Sequence, residues 1–262
     1  MTRRTMNRRS NGSFLPRLLS AALCLALLAG MAGSAAGEAT ADLLKEFRLL
    51  HGSRDSKRIA ITMDDVYERE WVWKSVELCR QYGVRMTFFP IGLCLKEEDR
   101  EGWLDVLSAG CEIGSHSYNH EMFRDIAAYV AWGRLGRFQE ALDRTLGVHY
   151  PVRWFRPPFG SITNKQKKSA GMYTAITRFG YDHILLWDVS ETNPDKAIAK
   201  VRNGSILLYH ARQKDYECLV KLIPALLEAG FEPVTVSELF GMEPPAAGGE
   251  LYVYNSHDYT GW

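Results

Sequence analysis

The run Ile59-Ala60-Ile61-Thr62-Met63-Asp64-Asp65 (IAITMDD) decides how the rest of the chain reads. Its first five residues form an apolar stretch of strand length, and two carboxylates close it. A helical pattern over Glu70–Tyr82 follows. The same plan recurs. Strands are expected near Ile59–Met63, Met86–Phe89, Glu112–Gly114, Arg153–Phe155, His183–Leu186, Ile206–Tyr209 and Pro233–Val236. Helices are expected over Glu70–Tyr82, Lys96–Ala109, Met122–Leu146, Lys165–Phe179, Pro194–Val201 and Tyr216–Ala229. Gly83, Gly110, Gly147, Gly180 and Gly230 each follow a helical stretch, where a left-handed residue ends a helix. Strand–helix alternation of this kind calls for a mostly parallel sheet, and seven repeats point to an α/β, TIM-barrel-like ring.

In such rings the reactive groups gather at the C-terminal ends of strands. Asp64-Asp65 follows the first strand, His116-Ser117-Tyr118-Asn119-His120 the third, and Arg156-Pro157-Pro158-Phe159-Gly160 the fourth. Trp187-Asp188 follows the fifth and His210 ends the sixth. Each has an ordinary reading alone: the aspartates as a helix cap, the histidines as surface residues on one turn, Arg156 in a rigid loop, His210 and Trp187 as core. Their coincidence on one rim points to one site. Two imidazoles four residues apart plus a carboxylate make a three-ligand set for a divalent transition metal, with positions left open for water and substrate.

Arg3, Arg4, Arg8, Arg9 and Arg17 precede an apolar run from Leu18 to Met31 and a small-residue segment, Ala32–Gly37. That is the layout of a signal peptide, expected over residues 1–36 and cleaved near Ala35 or Ala36, with an uncleaved signal anchor as the alternative. A secreted or cell-surface location follows. The whole chain carries 32 basic and 31 acidic side chains; without the five leader arginines 27 face 31, a net charge of about −4. A mildly acidic domain argues against a nucleic-acid partner. The organisation expected is an N-terminal segment over 37–57, one domain over 58–241 and a Pro/Gly-rich, then aromatic tail over 242–262, to which no role is assigned. Export permits disulfides among Cys79, Cys94, Cys111 and Cys218, with Cys94–Cys111 the first pair to test.

With these motifs in order (TMDD at 62–65, HSYNH at 116–120, RPPFG at 156–160, GSILLYH at 204–210), the chain resembles the polysaccharide deacetylase family with its NodB-homology domain, of carbohydrate esterase type, over Arg58 to Phe240. The resemblance implies a distorted (β/α)7 barrel. It implies a hydrolase that removes N-acetyl groups from GlcNAc- or MurNAc-type residues of a cell-wall or chitin-like polysaccharide. Two alternatives stand beside it: a metal-dependent amidase acting on a small non-sugar C–N bond, and a catalytically silent glycan-binding relative. Carried over residue by residue, Asp65, His116 and His120 are the metal ligands, Zn2+ first, with Co2+, Mn2+ or Ni2+ as alternatives. Asp64 is the general base, His210 the general acid, and Arg156 holds the Asp64 carboxylate. Phe159 supplies a backbone N–H to the oxyanion, and Trp187 and Leu208 line the acetyl-methyl pocket. The partner implied is a polysaccharide of peptidoglycan or chitooligosaccharide type; no protein partner is predicted.

Three departures from the family pattern stand out. Val66 replaces the glycine expected after the two aspartates, and valine does not comfortably take φ > 0. Asn193-Pro194 stands where an Asp-Trp pair is expected, whose aspartate tunes the acid histidine; Asp188 is the nearest substitute. Ala211 replaces an aspartate after His210.

Overall fold

The structure is a computed structural model that describes residues 47–124, 126–161, 166–181 and 183–256, without the side chains of 166–172. The expected leader over 1–36, and residues 37–46 of the 37–57 segment, lie outside the described residues.

Strand β2 (Arg58–Asp65) is the hub, and Ile59, Ala60, Ile61, Thr62 and Met63 have no exposed surface. A strand buried on both faces is what a parallel sheet demands of its centre. It pairs in parallel with β3 (Met86–Pro90) and with β6 (Ile206–His210), and at its start with β7 (Glu232–Val234). β3 pairs with β4 (Glu112–Ile113), and β5 (Ile184–Leu185) pairs with a short β1 (Arg48–Leu49). Single parallel bridges carry the ring onward: Ser115 with Phe155, Phe155 with Ile184, Val189 with Leu207. The strands therefore close on themselves as a distorted barrel, wrapped by α1 (Glu70–Tyr82), α2 (Arg100–Ser108), α3 (Ala128–Leu146), α4 (Gln166–Phe179), α5 (Pro194–Lys200), α6 (Gln213–Glu228) and the one-turn α7 (Val236–Leu239). Gly83 and Gly147 end α1 and α3 in the left-handed conformation, at φ 65° and 74°.

Some boundaries differ from expectation for physical reasons. The stretch Arg153–Phe155 pairs on both sides yet forms no regular strand, because Pro157 and Pro158 lack the N–H groups that would extend the ladder. The helix expected from Lys96 starts at Arg100, after two short 3-10 turns, and the one expected from Met122 starts at Ala128. The Cys94–Cys111 pair does not form: all four described cysteines are thiols, and Cys79 is the hydrogen-bonded neighbour of Cys111. The tail docks on α3. Tyr252 N donates to the buried Asp143 (2.8 Å), and a Cβ at Gly136 would lie 2.3 Å from the Tyr254 ring. Among the described residues, no helix is long and apolar enough to cross a membrane.

The closed end of the barrel holds Glu112, fully buried. Ser237 N donates to its Oε2 (3.0 Å), Thr87 Oγ1 to the same oxygen (3.3 Å), and Ser237 Oγ to Oε1. Burial pushes its carboxyl above the usual range, against the pull of these donors and of Arg153. A raised folded-state pKa means stability that is full below the unfolded value of about 4.3 and is lost as pH rises through the folded one. The stability of the wild type minus that of Glu112→Gln, measured by urea unfolding, is therefore expected to shrink as pH rises above about 4. A pH-independent difference would show that the buried carboxyl is not linked to folding.

Candidate active site

The rim is built where strands end. Asp64 and His210 are register partners on β2 and β6, side by side at the mouth. Asp64 is buried and points at Arg156, which has no exposed surface. Arg156 Nη1 donates to Asp64 Oδ1 (2.7 Å) and to Thr62 Oγ1 (2.8 Å); Nη2 donates to Leu186 O (3.2 Å). The Phe89 ring lies 4.4 Å from the guanidinium carbon. Burial pulls the guanidinium down and Asp64 opposes that pull.

After Asp64 the strand breaks. Val66 N donates to Asp64 O (3.0 Å) across Asp65, a tight three-residue turn with Asp65 at φ 73° and Val66 at φ 67°. The positive φ at Val66 is thus adopted after all. It costs about 1–2 kcal/mol for an L residue. The side chain is only 2% exposed, and burying a valine returns about 1.5–3 kcal/mol, enough to hold the turn. Ser117, His120 and Phe159 also have positive φ (70°, 54° and 60°). Among the described residues, all five non-glycine positions of this kind belong to these rim turns, and strain of this sort collects at functional sites.

The turns bring three donor groups together. Asp65 Oδ1 lies 3.3 Å from His116 Nε2 and 3.2 Å from His120 Nε2, and the three ligand atoms fall within 4.8 Å of one another. Donors that share one cation at about 2.0–2.2 Å each must lie roughly 3 Å apart, so the spacing fits a single ion. Two further features fit. Asp65 Oδ1 is buried without a hydrogen bond. His116 Nδ1 donates to the Arg156 carbonyl (2.8 Å), which turns its Nε2 lone pair toward the centre. Burial opposes the charge on Asp65, but the two imidazoles outweigh it and hold the carboxyl well below the usual range.

Of the other expected residues, Phe159 stands on a 3-10 turn, Pro158–Gly160, with its ring 62% exposed and 4.5 Å from His120. Trp187 is half-buried, 5.6 Å from the Arg156 guanidinium carbon and packed against Gly160. Leu208 is buried on β6 opposite Thr62. Asp188 does not meet His210. It accepts from Arg54 Nη2 (2.9 Å), Ser205 Oγ (3.1 Å) and Ile206 N (2.9 Å), and so ties strand starts together. The carboxylate that does meet His210 is Asp215, on the first turn of α6, with Oδ2 3.4 Å from Nδ1. Sequence reading missed it; the only signal is an acid five residues past the histidine. Tyr67 was missed as well: it is 66% exposed, beside His120 at 6.3 Å between ring centres, and directly follows the aspartate turn. His210 is pushed up by Asp215, against burial, with Asp64 and Asp65 adding and Arg212 subtracting.

The family model for polysaccharide deacetylase matches residues 51–183. A peptidoglycan-N-acetylglucosamine deacetylase of Bacillus cereus is 30% identical over 71% of this chain and 89% of its own. A bifunctional xylanase/deacetylase of Pseudobutyrivibrio xylanivorans is 27% identical over 73% of this chain; the match spans only about a third (32%) of that longer protein. Among solved structures, a carbohydrate esterase family 4 pseudoenzyme from Bacillus anthracis superposes with TM-score 0.65 at 22% identity, covering 76% of this chain and 71% of its own, which speaks for the fold alone. A motif set that the fold brings to one rim and a sequence likeness that runs through three of those motifs agree: this chain belongs to the polysaccharide deacetylase family.

Proposed function

We propose that the chain is an exported, divalent-metal-dependent hydrolase that removes N-acetyl groups from GlcNAc- or MurNAc-type residues of a cell-wall glycan and releases acetate. The observation that carries this reading is the convergence of Asp65, His116 and His120 with Asp64 and His210 beside them. Relatives named as peptidoglycan deacetylases support the substrate class, and the basic-then-apolar N-terminus supports export. A divalent cation held by the three ligands, Zn2+ first, supplies a Lewis-acid centre that acidifies water and polarises the acetamide carbonyl.

The chain's own groups do the rest. Asp64 Oδ1 is committed to Arg156, so Oδ2, 3.8 Å from His116 Nε2, is the oxygen that takes the proton from the attacking water. The Phe159 N–H donates to the developing oxyanion, a contact of typically about 3 kcal/mol. His210 gives its Nε2 proton to the amine nitrogen as the C–N bond breaks, since an unprotonated amine leaves poorly. Trp187 and Leu208 hold the acetyl methyl, and the exposed rings of Tyr67 and Phe159 offer flat apolar faces to the sugar.

Acetate release from N-acetylglucosamine oligomers and from peptidoglycan tests the reading. Activity is expected on at least one, abolished by chelator and restored by added Zn2+ or Co2+. Acetate release that a chelator leaves untouched would exclude the metal-dependent step. A metal-loaded protein that releases none from any N-acetylated glycan, yet binds the polymer, would favour a silent glycan-binding relative.

A further inference from the structure

We propose that Asp215 is the positioning residue for His210: it receives the Nδ1–H and so aims Nε2–H at the leaving nitrogen. The role in turnover rests on the deacetylase reading; the pairing itself rests on geometry. The family resemblance expects a tuning aspartate where Asn193-Pro194 stands, and both of these residues start α5. Asn193 Oδ1 accepts from Lys196 N (3.0 Å), and Pro194 fills the first helical position. Asp188 is held by Arg54, Ser205 and Ile206 N. Neither position is available to His210.

Asp215 is built for the task. Arg212 N donates back to His210 O (2.8 Å) in a tight turn, and Ala211 N donates to Asp64 O (3.2 Å), which docks that turn on β2. The reversal lays the first turn of α6 over the imidazole. Asp215, without exposed surface, then accepts from the His210 backbone N–H (2.8 Å) through the same Oδ2 that faces Nδ1. One oxygen thus accepts from the backbone of His210 and also faces its ring nitrogen at 3.4 Å, within reach of an Nδ1–H. The second oxygen, Oδ1, is buried without a hydrogen bond, so the carboxylate has capacity to spare for charge on the ring.

The charges facing the ring are Asp64 and Asp65 from β2, and Arg212 and Asp215 from the turn and α6. Arg212 Nη2 approaches Nδ1 at 3.3 Å, but its Nε is bound to Asp215 (2.9 Å), so the acid also neutralises the cation that would expel a proton from the ring. During turnover His210 passes its Nε2 proton to the amine and becomes neutral, keeping Nδ1–H toward Asp215. The ring then regains a proton from solvent, and Asp215 stays ionised throughout.

The test is a pH titration of the 15N-labelled imidazoles by NMR in the metal-free wild type, in Asp215→Asn and in Arg212→Ala. His210 is expected to titrate about one pH unit or more lower in Asp215→Asn, where Arg212 is left without its counter-charge, and higher than wild type in Arg212→Ala. The alkaline limb of the kcat–pH profile should move down with the ring in Asp215→Asn, while KM and the Zn2+ stoichiometry stay as in wild type. Identical titration of His210 in wild type and Asp215→Asn overturns the proposal. If Asp215→Asn does not fold, Arg212→Ala decides: no upward movement overturns it too. A ring that responds as expected in a protein that deacetylates no glycan upholds the pairing and rejects the functional reading instead.

Discussion

Asp64→Asn is expected to lose roughly 10²–10⁴-fold in turnover, the usual contribution of a positioned proton acceptor, while still binding the cation. It is also expected to lose stability. Arg156 has no exposed surface, and among the described residues Asp64 is its only carboxylate contact. An asparagine oxygen can still accept from Nη1, yet the counter-charge is gone, and removing one partner of a buried pair typically costs about 3–5 kcal/mol. The remaining acceptors, Thr62 Oγ1 and the carbonyls of Leu185 and Leu186, solvate the cation without neutralising it. A second substitution separates chemistry from folding. In an Asp64→Asn/Arg156→Met protein both charges are absent, and a flexible apolar chain can lie along Phe89 where the guanidinium lay. This double variant should be more stable than Asp64→Asn alone in urea unfolding and should remain inactive. Wild-type acetate release by Asp64→Asn would remove Asp64 from the chemistry. A double variant no more stable than the single one would show that the pair is not held by charge.

What was legible in the sequence followed from local pattern. Apolar runs that end in Asp64-Asp65, in His210 and just short of Arg156 mark strands and their rim, because a buried parallel strand must be apolar while its end need not be. The glycine stops at 83, 110, 147, 180 and 230 all take positive φ. What was not legible depends on contacts between distant segments. The two-residue strand Arg48–Leu49 is too short for any periodicity and exists because β5 has an open edge. Val66 reads as a steric misfit until its burial is known. Cys79 reaches Cys111 only because α1 packs beside the start of β4. Tyr252 and Tyr254 read as a loose aromatic tail, although Gly136 on α3 is the hollow that receives them. Asp215 was passed over for a similar reason: its meaning depends on the tight turn at 210–212, which no motif announces.

His116→Ala is expected to abolish cation binding, and the clearest readout is stability rather than turnover. A ligand at a hundred times its Kd stabilises the folded state by about 2.7 kcal/mol, which for a domain of this size raises Tm by roughly 5–10 °C. Wild type should show that rise on adding Zn2+; His116→Ala should show none. The size of the expected loss follows from how His116 is held. Its Nδ1 is anchored on the Arg156 carbonyl, its Nε2 stands 3.3 Å from Asp65 Oδ1, and its ring is 97% buried, so no neighbouring side chain can swing in to replace it. His120 is more exposed and lies on a positive-φ turn, so His120→Ala should weaken binding with more residual affinity. Asp65→Asn supplies the third comparison. It keeps the shape of the turn but removes the charge that burial opposes and the two imidazoles favour. Its metal-free form should therefore be somewhat less stable than wild type at neutral pH, and the Zn2+-dependent rise should disappear as well. A full Zn2+-dependent rise in both His116→Ala and Asp65→Asn would mean that the cation binds elsewhere, and the proposed chemistry at Asp64 would then have no centre to act beside.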